Sequence, residues 1–327
     1  MQFHLGFHPA VSQNKITHQD GVLFIGSCFS EHIAGRMLDL KFNLQTNPFG
    51  IVFNPKSIVT SLHRIIHKIY FKEEDVFEKE GLWYSLEAHS SVFSNTQIEL
   101  LETLNRPIDM WNQELHRASY LVVTLGSAFV YQHKQQDKIV ANCHKLPQAL
   151  FEKMLLDNHE IIVDFQELIN DLKTINSHLK CMFTVSPVKH LRDGVVENNL
   201  SKAILIQAVH QLVKQNINCF YFPAYELVTD DLRDYRFYES DMAHPNTQAI
   251  NYVWKNFSEV YFNDITNSIN DRLMQIHQAY NHRLFNKTTE TSMKFKHNFY
   301  QKCVTLQAEY NYLDLSKELK YFNTLED

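Results

Sequence analysis

Residues 22–28, with the sequence Val-Leu-Phe-Ile-Gly-Ser-Cys, decide how this chain folds. A short apolar run that ends in glycine is typical of a buried strand. Apolar residues then recur at Ile33, Met37 and Leu40, which is the spacing of one helix face. The stretch therefore predicts a strand, a sharp turn and a helix over residues 31–40.

Three further apolar runs, at residues 119–125, 181–185 and 219–222, are each followed within two residues by glycine or proline. Between the runs, helical spacing predicts helices over residues 57–70, 95–117, 147–175 and 198–216, with Ser57 as a cap and a break near Pro107. Buried strands that alternate with helices indicate an α/β protein with a parallel sheet and helices on its faces. Functional residues in such sheets follow the carboxyl ends of the strands.

The C-terminal part of the chain has a different pattern, because residues 246–327 contain neither glycine nor proline. Apolar residues at threes and fours predict one or two long helices there and a further helix over about 289–311. We expect an α/β domain over residues 1–265 and a helical extension over 266–327. The apolar stripe of the extension either packs within the chain or forms a homodimer.

Composition excludes several classes of protein. With 327 residues, 44% of them hydrophobic, the chain can bury a sizeable core, so disorder is not expected. The net charge of −6 argues against nucleic-acid binding. Only eight glycines are present, without a Gly-rich phosphate loop, so many-stranded sandwiches are excluded and no cofactor is expected.

The five cysteines are widely spaced and form no CxxC motif, which predicts reduced thiols rather than disulfides or a metal site. The N-terminus does not read as a signal peptide. No apolar stretch approaches the length of a membrane span. These features predict a cytoplasmic protein that does not contact a membrane.

Ser27 and Cys28 follow the first strand and precede a helix, where backbone amides favour an anion. A thiol there is expected to have a lowered pKa and a ready oxyanion site. The alternative is a small buried cysteine next to a capping serine.

Asp241 and His244 form a second candidate pair. An aspartate three residues before a histidine can hold Nδ1 of the ring and leave Nε2 as a base. The alternative is an ordinary surface turn before a helix. Combined with a nucleophile far upstream, the pair becomes a candidate catalytic triad.

Two other segments contain polar side chains that suit a pocket. His190 and Arg192 follow the third strand and could bind an anionic part of a substrate, or belong to a solvated loop. Asn142 and His144 could donate hydrogen bonds, or belong to a structural loop. The adjacent Cys143 and His144 do not suit a direct pair, because neighbouring side chains on an extended chain point apart.

Several ordered motifs, from residues 24–30 through 47–50, 124–126, 142–145, 186–188 and 233–238 to 241–245, resemble the GSCFA-domain family. That family looks like a branch of the SGNH (GDSL-like) hydrolase superfamily. The resemblance spans about residues 1–265. It implies a flavodoxin-like three-layer α/β/α sandwich with a parallel central sheet.

The resemblance also implies residue roles. The superfamily's nucleophile falls on Cys28, or on Ser27 if the register shifts by one residue, and its Asp-x-x-His block falls on Asp241 and His244. Gly50 and Gly126 match oxyanion or substrate-binding positions.

The superfamily's oxyanion asparagine, however, falls on Ala128, which has no side-chain donor. Asn142 or His144 could substitute for it. These matches imply an esterase or O-acyltransferase that acts on an acylated small molecule or glycan. The alternative is a noncatalytic binding module that keeps the same fold.

Overall fold

The computed structural model describes residues 5–282 and 289–323. As far as they are described, residues 1–9, 21–34 and 44–256 form one compact unit and residues 10–20, 35–43 and 257–327 form a second. All the residues singled out above for chemistry lie in the first unit. The sequence-based boundary at residue 265 stays a prediction.

The described residues contain strands and helices in the following order along the chain. The strands are β1 (Val22–Gly26), β2 (Leu44–Thr46), β3 (Phe77–Lys79), β4 (Leu82–Tyr84), β5 (Tyr120–Leu125), β6 (Phe129–His133), β7 (Lys138–Val140), β8 (Phe151–Leu155), β9 (Lys180–Val185) and β10 (Cys219–Tyr221). The helices are α1 (Cys28–Asp39), α2 (Pro55–Ile66), α3 (Gln97–Leu115), α4 (Asn158–Ile175), α5 (Val195–Gln215), α6 (Ala224–Glu226), α7 (Thr247–Tyr261), α8 (Asp264–Asn281), α9 (Glu290–Glu309) and α10 (Ser316–Phe322).

The central sheet has five strands in the order β2-β1-β5-β9-β10, and every neighbouring pair is parallel. Counting only these strands along the chain, the order is 2-1-3-4-5, which is the flavodoxin-like arrangement. β1 lies between its neighbours with Val22 opposite both Leu44 and Tyr120. The predicted fold class is confirmed.

Helices cover both faces of the sheet. Leu23 and Ile25 of β1 join one core with buried residues of α2, α3, α4 and α5. The alternate residues, Val22 and Phe24, are equally buried on the opposite face. Because β2 and β5 flank β1 on opposite sides, right-handed crossovers place α1 on that second face. The carboxyl ends of the strands are thus left open for function.

Three local predictions from the sequence are wrong. Helix α2 is capped by Asn54, whose side chain accepts the Ser57 amide, so Ser57 is not the cap. Helix α3 continues through Pro107 instead of breaking there. The first part of the helix predicted over residues 147–175 is strand β8, and the helix begins only at Asn158.

Two small antiparallel sheets are formed by segments that come between the central strands along the chain. β6 pairs with both β7 and β8, and β3 pairs with β4. Residues 140–146, which begin at the end of β7, line a cavity that is described below.

The second unit contains α8, α9 and α10, which contact one another. In the same unit Lys41 pairs with Glu318 at 2.7 Å, and the rings of His18, Phe42 and Phe262 form a stack. Among residues 5–282 and 289–323, no helix is long and apolar enough to cross a membrane.

Candidate active site

The turn after β1 is built around Gly26. Its φ is +140°, and a Cβ at this position would lie 2.2 Å from the carbonyl oxygen of Thr124. The Gly26 amide donates to Oδ1 of Asn47 at 2.9 Å, and the Ser27 amide donates to the Thr124 carbonyl at 3.1 Å. Only glycine fits here, and the turn holds Cys28 at a fixed point above the edge of the sheet.

Cys28 is the first residue of α1 and is half-buried. Its pKa is raised from the ordinary value, chiefly because burial disfavours the thiolate and because the Glu31 carboxylate lies nearby. The amides of Phe29 and Cys28 and the charge of Lys202 act in the opposite direction but do not prevail. The expectation of a lowered pKa is therefore wrong, and Cys28 is a neutral thiol near pH 7.

Ser27, the alternative nucleophile, is placed differently. The side chain is 3% exposed, and its Oγ is buried without a hydrogen-bond partner within the described part of the chain. A nucleophile must meet its substrate, so the accessibility of the two side chains favours Cys28 over Ser27.

The loop before α7 holds Asp241 and His244 as a closely bonded pair. Nδ1 of His244 lies 2.6 Å from Oδ2 of Asp241, while Oδ1 accepts the amides of Ala243 and His244. Those two amides, His244 first, and then the imidazole lower the pKa of Asp241 to about 2. The carboxylate is thus ionised, and it orients a half-exposed imidazole through Nδ1, so Nε2 is not used by this bond.

Lys202 is fully buried near Cys28. It is not among the candidate site residues identified from the sequence. Its Nζ donates to the carbonyl oxygens of Gly126 at 2.5 Å and Ser186 at 2.7 Å, which follow β5 and β9. Burial lowers its pKa from 10.5 to about 7, and the electrostatic influence of Cys28 opposes that shift. Lys202 thus joins two strand ends and brings positive charge towards Cys28.

His190 lies near both Lys202 and His244. Its ring packs against the ring of Phe53 at an angle of 31°, with centroids 4.8 Å apart, and its Nε2 is buried without a hydrogen-bond partner among the described residues. Burial first, and then the neighbouring Lys202 and His244, lower its pKa from the ordinary 6.5 to about 3. His190 is therefore neutral at physiological pH and does not bind an anion by charge.

The predicted oxyanion positions have backbone amides that are already bonded. The Gly50 amide donates to the Asn47 carbonyl at 2.9 Å, and the Gly126 amide donates to the Phe53 carbonyl at 2.8 Å. Ala128 is completely buried and its amide donates to Ser201 Oγ at 2.7 Å. By contrast, the first amides of α1 have no partner from a preceding helical turn, so they suit an oxyanion better.

Asn142 and Arg192 are brought together at a separate cavity of about 480 Å³, which is also lined by Phe53. Cys143 lines the same cavity, and burial raises its pKa while Arg192 lowers it. His144 is a buried residue whose Nε2 donates to the Ser85 carbonyl at 2.8 Å. This hydrogen bond fixes the orientation of the His144 ring.

The candidate triad is not closed by a direct bond. Between residues 5 and 282, no hydrogen bond joins the Cys28 thiol to the His244 ring. The electrostatic contacts run instead from Cys28 to Lys202, on to His190 and then to His244.

The signal for Lys202 was present in the sequence. It lies three, seven and ten residues before Leu205, Val209 and Leu212, all of which are completely buried. A lysine on the apolar face of a helix must either snorkel to the surface or find internal partners. Its partners are carbonyls that no sequence pattern specifies.

The sequence matches the GSCFA family over residues 21–257. The chain belongs to the GSCFA family. Residues 273–326 match the C-terminal domain of GSCFA proteins as a second, separate region. No curated protein matches the chain.

Among solved structures, a carbohydrate esterase of family 3 from Talaromyces cellulolyticus aligns with a TM-score of 0.34 and 8% identity. The alignment covers 80% of this GSCFA chain and 99% of the esterase chain. A similarity this low does not extend to individual site residues.

Proposed function

We propose that this GSCFA protein is an SGNH-like acyl-transfer enzyme, an esterase or O-acyltransferase, with Cys28 as its nucleophile. The observation that carries the proposal is the Asp241–His244 pair at 2.6 Å, at the same sheet edge as an accessible thiol on a helix N-terminus. An ionised aspartate that fixes Nδ1 of a histidine is the arrangement of a general base.

The chemistry starts from a neutral thiol. With an ester bound, Nε2 of His244 takes the Cys28 proton as Sγ forms a bond to the acyl carbon. The tetrahedral oxyanion is met by the first amides of α1, and Lys202 stabilises the developing negative charge from below. The C–O bond then breaks, and His244 returns the proton to the leaving alkoxide. Water or an acceptor hydroxyl next attacks the thioester while His244 takes its proton. The C–S bond then breaks, His244 passes the proton to the Cys28 sulfur, and the free acid or the new ester is released.

The cavity near Arg192 suits the rest of the substrate. Phe53 packs against His190 on one side and lines the cavity on the other, so it connects the cavity with the proposed reaction centre. Aromatic walls together with Asn142 and Arg192 fit an acylated small molecule or a glycan.

Hydrolysis of a short p-nitrophenyl ester tests the proposal. We expect Cys28→Ala to lower kcat at least ~10³-fold, because the variant lacks the nucleophile that the Asp241–His244 pair would activate. Cys303→Ala, which removes a thiol that does not line the cavity near Arg192, is the control and should keep wild-type turnover. Mass spectrometry of quenched enzyme should find the acyl group on Cys28. Wild-type turnover in Cys28→Ala would contradict the proposal.

The second candidate function is noncatalytic binding of a ligand. It is favoured by the lack of a free oxyanion donor at the positions expected from the sequence and by the raised pKa of Cys28. The Gly50 and Gly126 amides are already bonded, Ala128 supplies no donor, and the Cys28 pKa is raised. If the protein only binds acylated ligands, Cys28→Ala should leave ligand affinity unchanged, and no acyl-enzyme should accumulate with any ester.

A further inference from the structure

Helices α2 and α4 place three potential metal ligands together on the surface of the first unit. His63 and His67 lie four residues apart at the end of α2, so both rings project from one face. Asp171 of α4 faces them. The three ligand atoms all lie within 4.8 Å of one another.

The distances within this cluster match a coordination sphere. Oδ2 of Asp171 is 3.3 Å from Nε2 of His63 and 3.3 Å from Nε2 of His67. Ligands about 2.0–2.1 Å from a tetrahedral zinc ion lie roughly 3.3–3.4 Å from each other. Two of the three ligand–ligand separations therefore already have the required length.

The surroundings also favour a cation. The cluster lies at the last turn of α2, where the dipole of the helix makes its C-terminal end negative. The three side chains are 41%, 45% and 37% exposed, so an ion can enter from solvent and keep water as a fourth ligand. Two imidazoles and one carboxylate suit zinc and neighbouring divalent transition metals better than calcium or magnesium.

We propose that His63, His67 and Asp171 form a binding site for a divalent transition-metal ion, with zinc as the natural occupant. The ion would clamp α2 to α4. The site is separate from Cys28, because α2 runs roughly 13 Å from Asn54 to His63, away from the sheet edge.

The same distances also fit two Nε2–H groups that donate to one carboxylate oxygen, so the experiment must distinguish a metal site from a hydrogen-bonded cluster. Calorimetric titration of the chelator-treated full chain with Zn²⁺ alone should show one saturable equivalent. His63→Ala and Asp171→Ala should each weaken binding at least tenfold. His159→Ala, an exposed histidine on α4, is the matched control and should leave affinity unchanged.

Two further measurements identify the ligand atoms. Co²⁺ in place of Zn²⁺ should give a spectrum without a thiolate charge-transfer band, because the proposed ligands are nitrogen and oxygen. In the unaltered protein, Zn²⁺ should protect His63 and His67 from acylation by diethylpyrocarbonate, mapped by mass spectrometry. Absence of one-equivalent binding, a thiolate band, or equal modification with and without Zn²⁺ would each overturn the proposal.

Discussion

Lys202 is the residue whose environment departs furthest from that of an ordinary surface lysine. An ammonium group without solvent is costly, and here two carbonyl oxygens offset only part of that cost. Its pKa is therefore about 7 in the folded protein, against 10.5 when exposed. Such a cost is common at functional sites, where charge near a reacting group matters more than stability.

The depressed pKa of Lys202 predicts a pH-dependent stability. Below pH 7 both folded and unfolded states carry the proton, so the cost of the buried charge is fully present. That cost is lost as the pH rises from 7 towards 10.5, because the folded state releases the proton first. We expect the wild type to gain roughly 2 kcal/mol relative to Lys202→Met between pH 7 and pH 9.

Urea unfolding at several pH values measures this difference. Lys214→Met, on the exposed face of the same helix, is the control and should follow the wild-type curve. Parallel curves for the wild type and Lys202→Met would mean that Lys202 titrates like an exposed lysine.

The strand–turn–helix element formed by β1 and α1 depends on one glycine. Gly26→Ala puts a methyl group against the Thr124 backbone at a φ of +140°, so we expect a loss of about 3 kcal/mol or more. Gly35→Ala is the matched control: no atom lies within 4 Å of its added Cβ, and alanine favours the helix by ~0.5–1 kcal/mol. Urea unfolding of both variants checks the contrast, and equal effects would refute the role of Gly26.

The sequence predicts four of the five strands of the central sheet, because each of the four contains a continuous apolar run. It misses β2, which is short, only partly buried and contains polar residues. Strands such as β5 and β9, buried over almost all of their residues, differ clearly from their surroundings. The three-stranded sheet of β6, β7 and β8 has no such signal, because its residues are only partly buried and mix polar with apolar side chains. Residues 151–155 therefore merge with the apolar pattern of α4.

Contacts in the candidate site can be predicted from the sequence only where the two residues lie in one short segment of the chain. Asp241 and His244 lie three residues apart, so their bond follows from local geometry. The raised pKa of Cys28 depends on Glu31 and on burial, and the positions of Lys202 and His190 depend on the packing of α5. A single sequence does not specify such long-range contacts; it shows only that Lys202 lies on the apolar face of its helix.

At the scale of the whole molecule, two N-terminal segments belong to the C-terminal unit. Residues 10–20 and 35–43 group with 257–327 as far as these are described, and Ile16 donates its amide to the Tyr261 carbonyl at 2.8 Å. The C-terminal helices of this unit thus pack with segments from the N-terminal part of the chain and do not form a unit of their own.

Most of the apolar stripe of α8 is already buried within one chain, which favours the alternative that the stripe packs within the chain rather than in a homodimer. Leu273 and Ile276 are 1% and 2% exposed, whereas Ile265 on the same stripe is 65% exposed. We expect the protein to be a monomer of 38.5 kDa by light scattering. Ile265→Asp should change neither mass nor stability, while Leu273→Asp should destabilise the fold by several kcal/mol, roughly 3 or more, because it buries an unpaired charge. A dimer that Ile265→Asp converts to monomer would instead place the interface on α8.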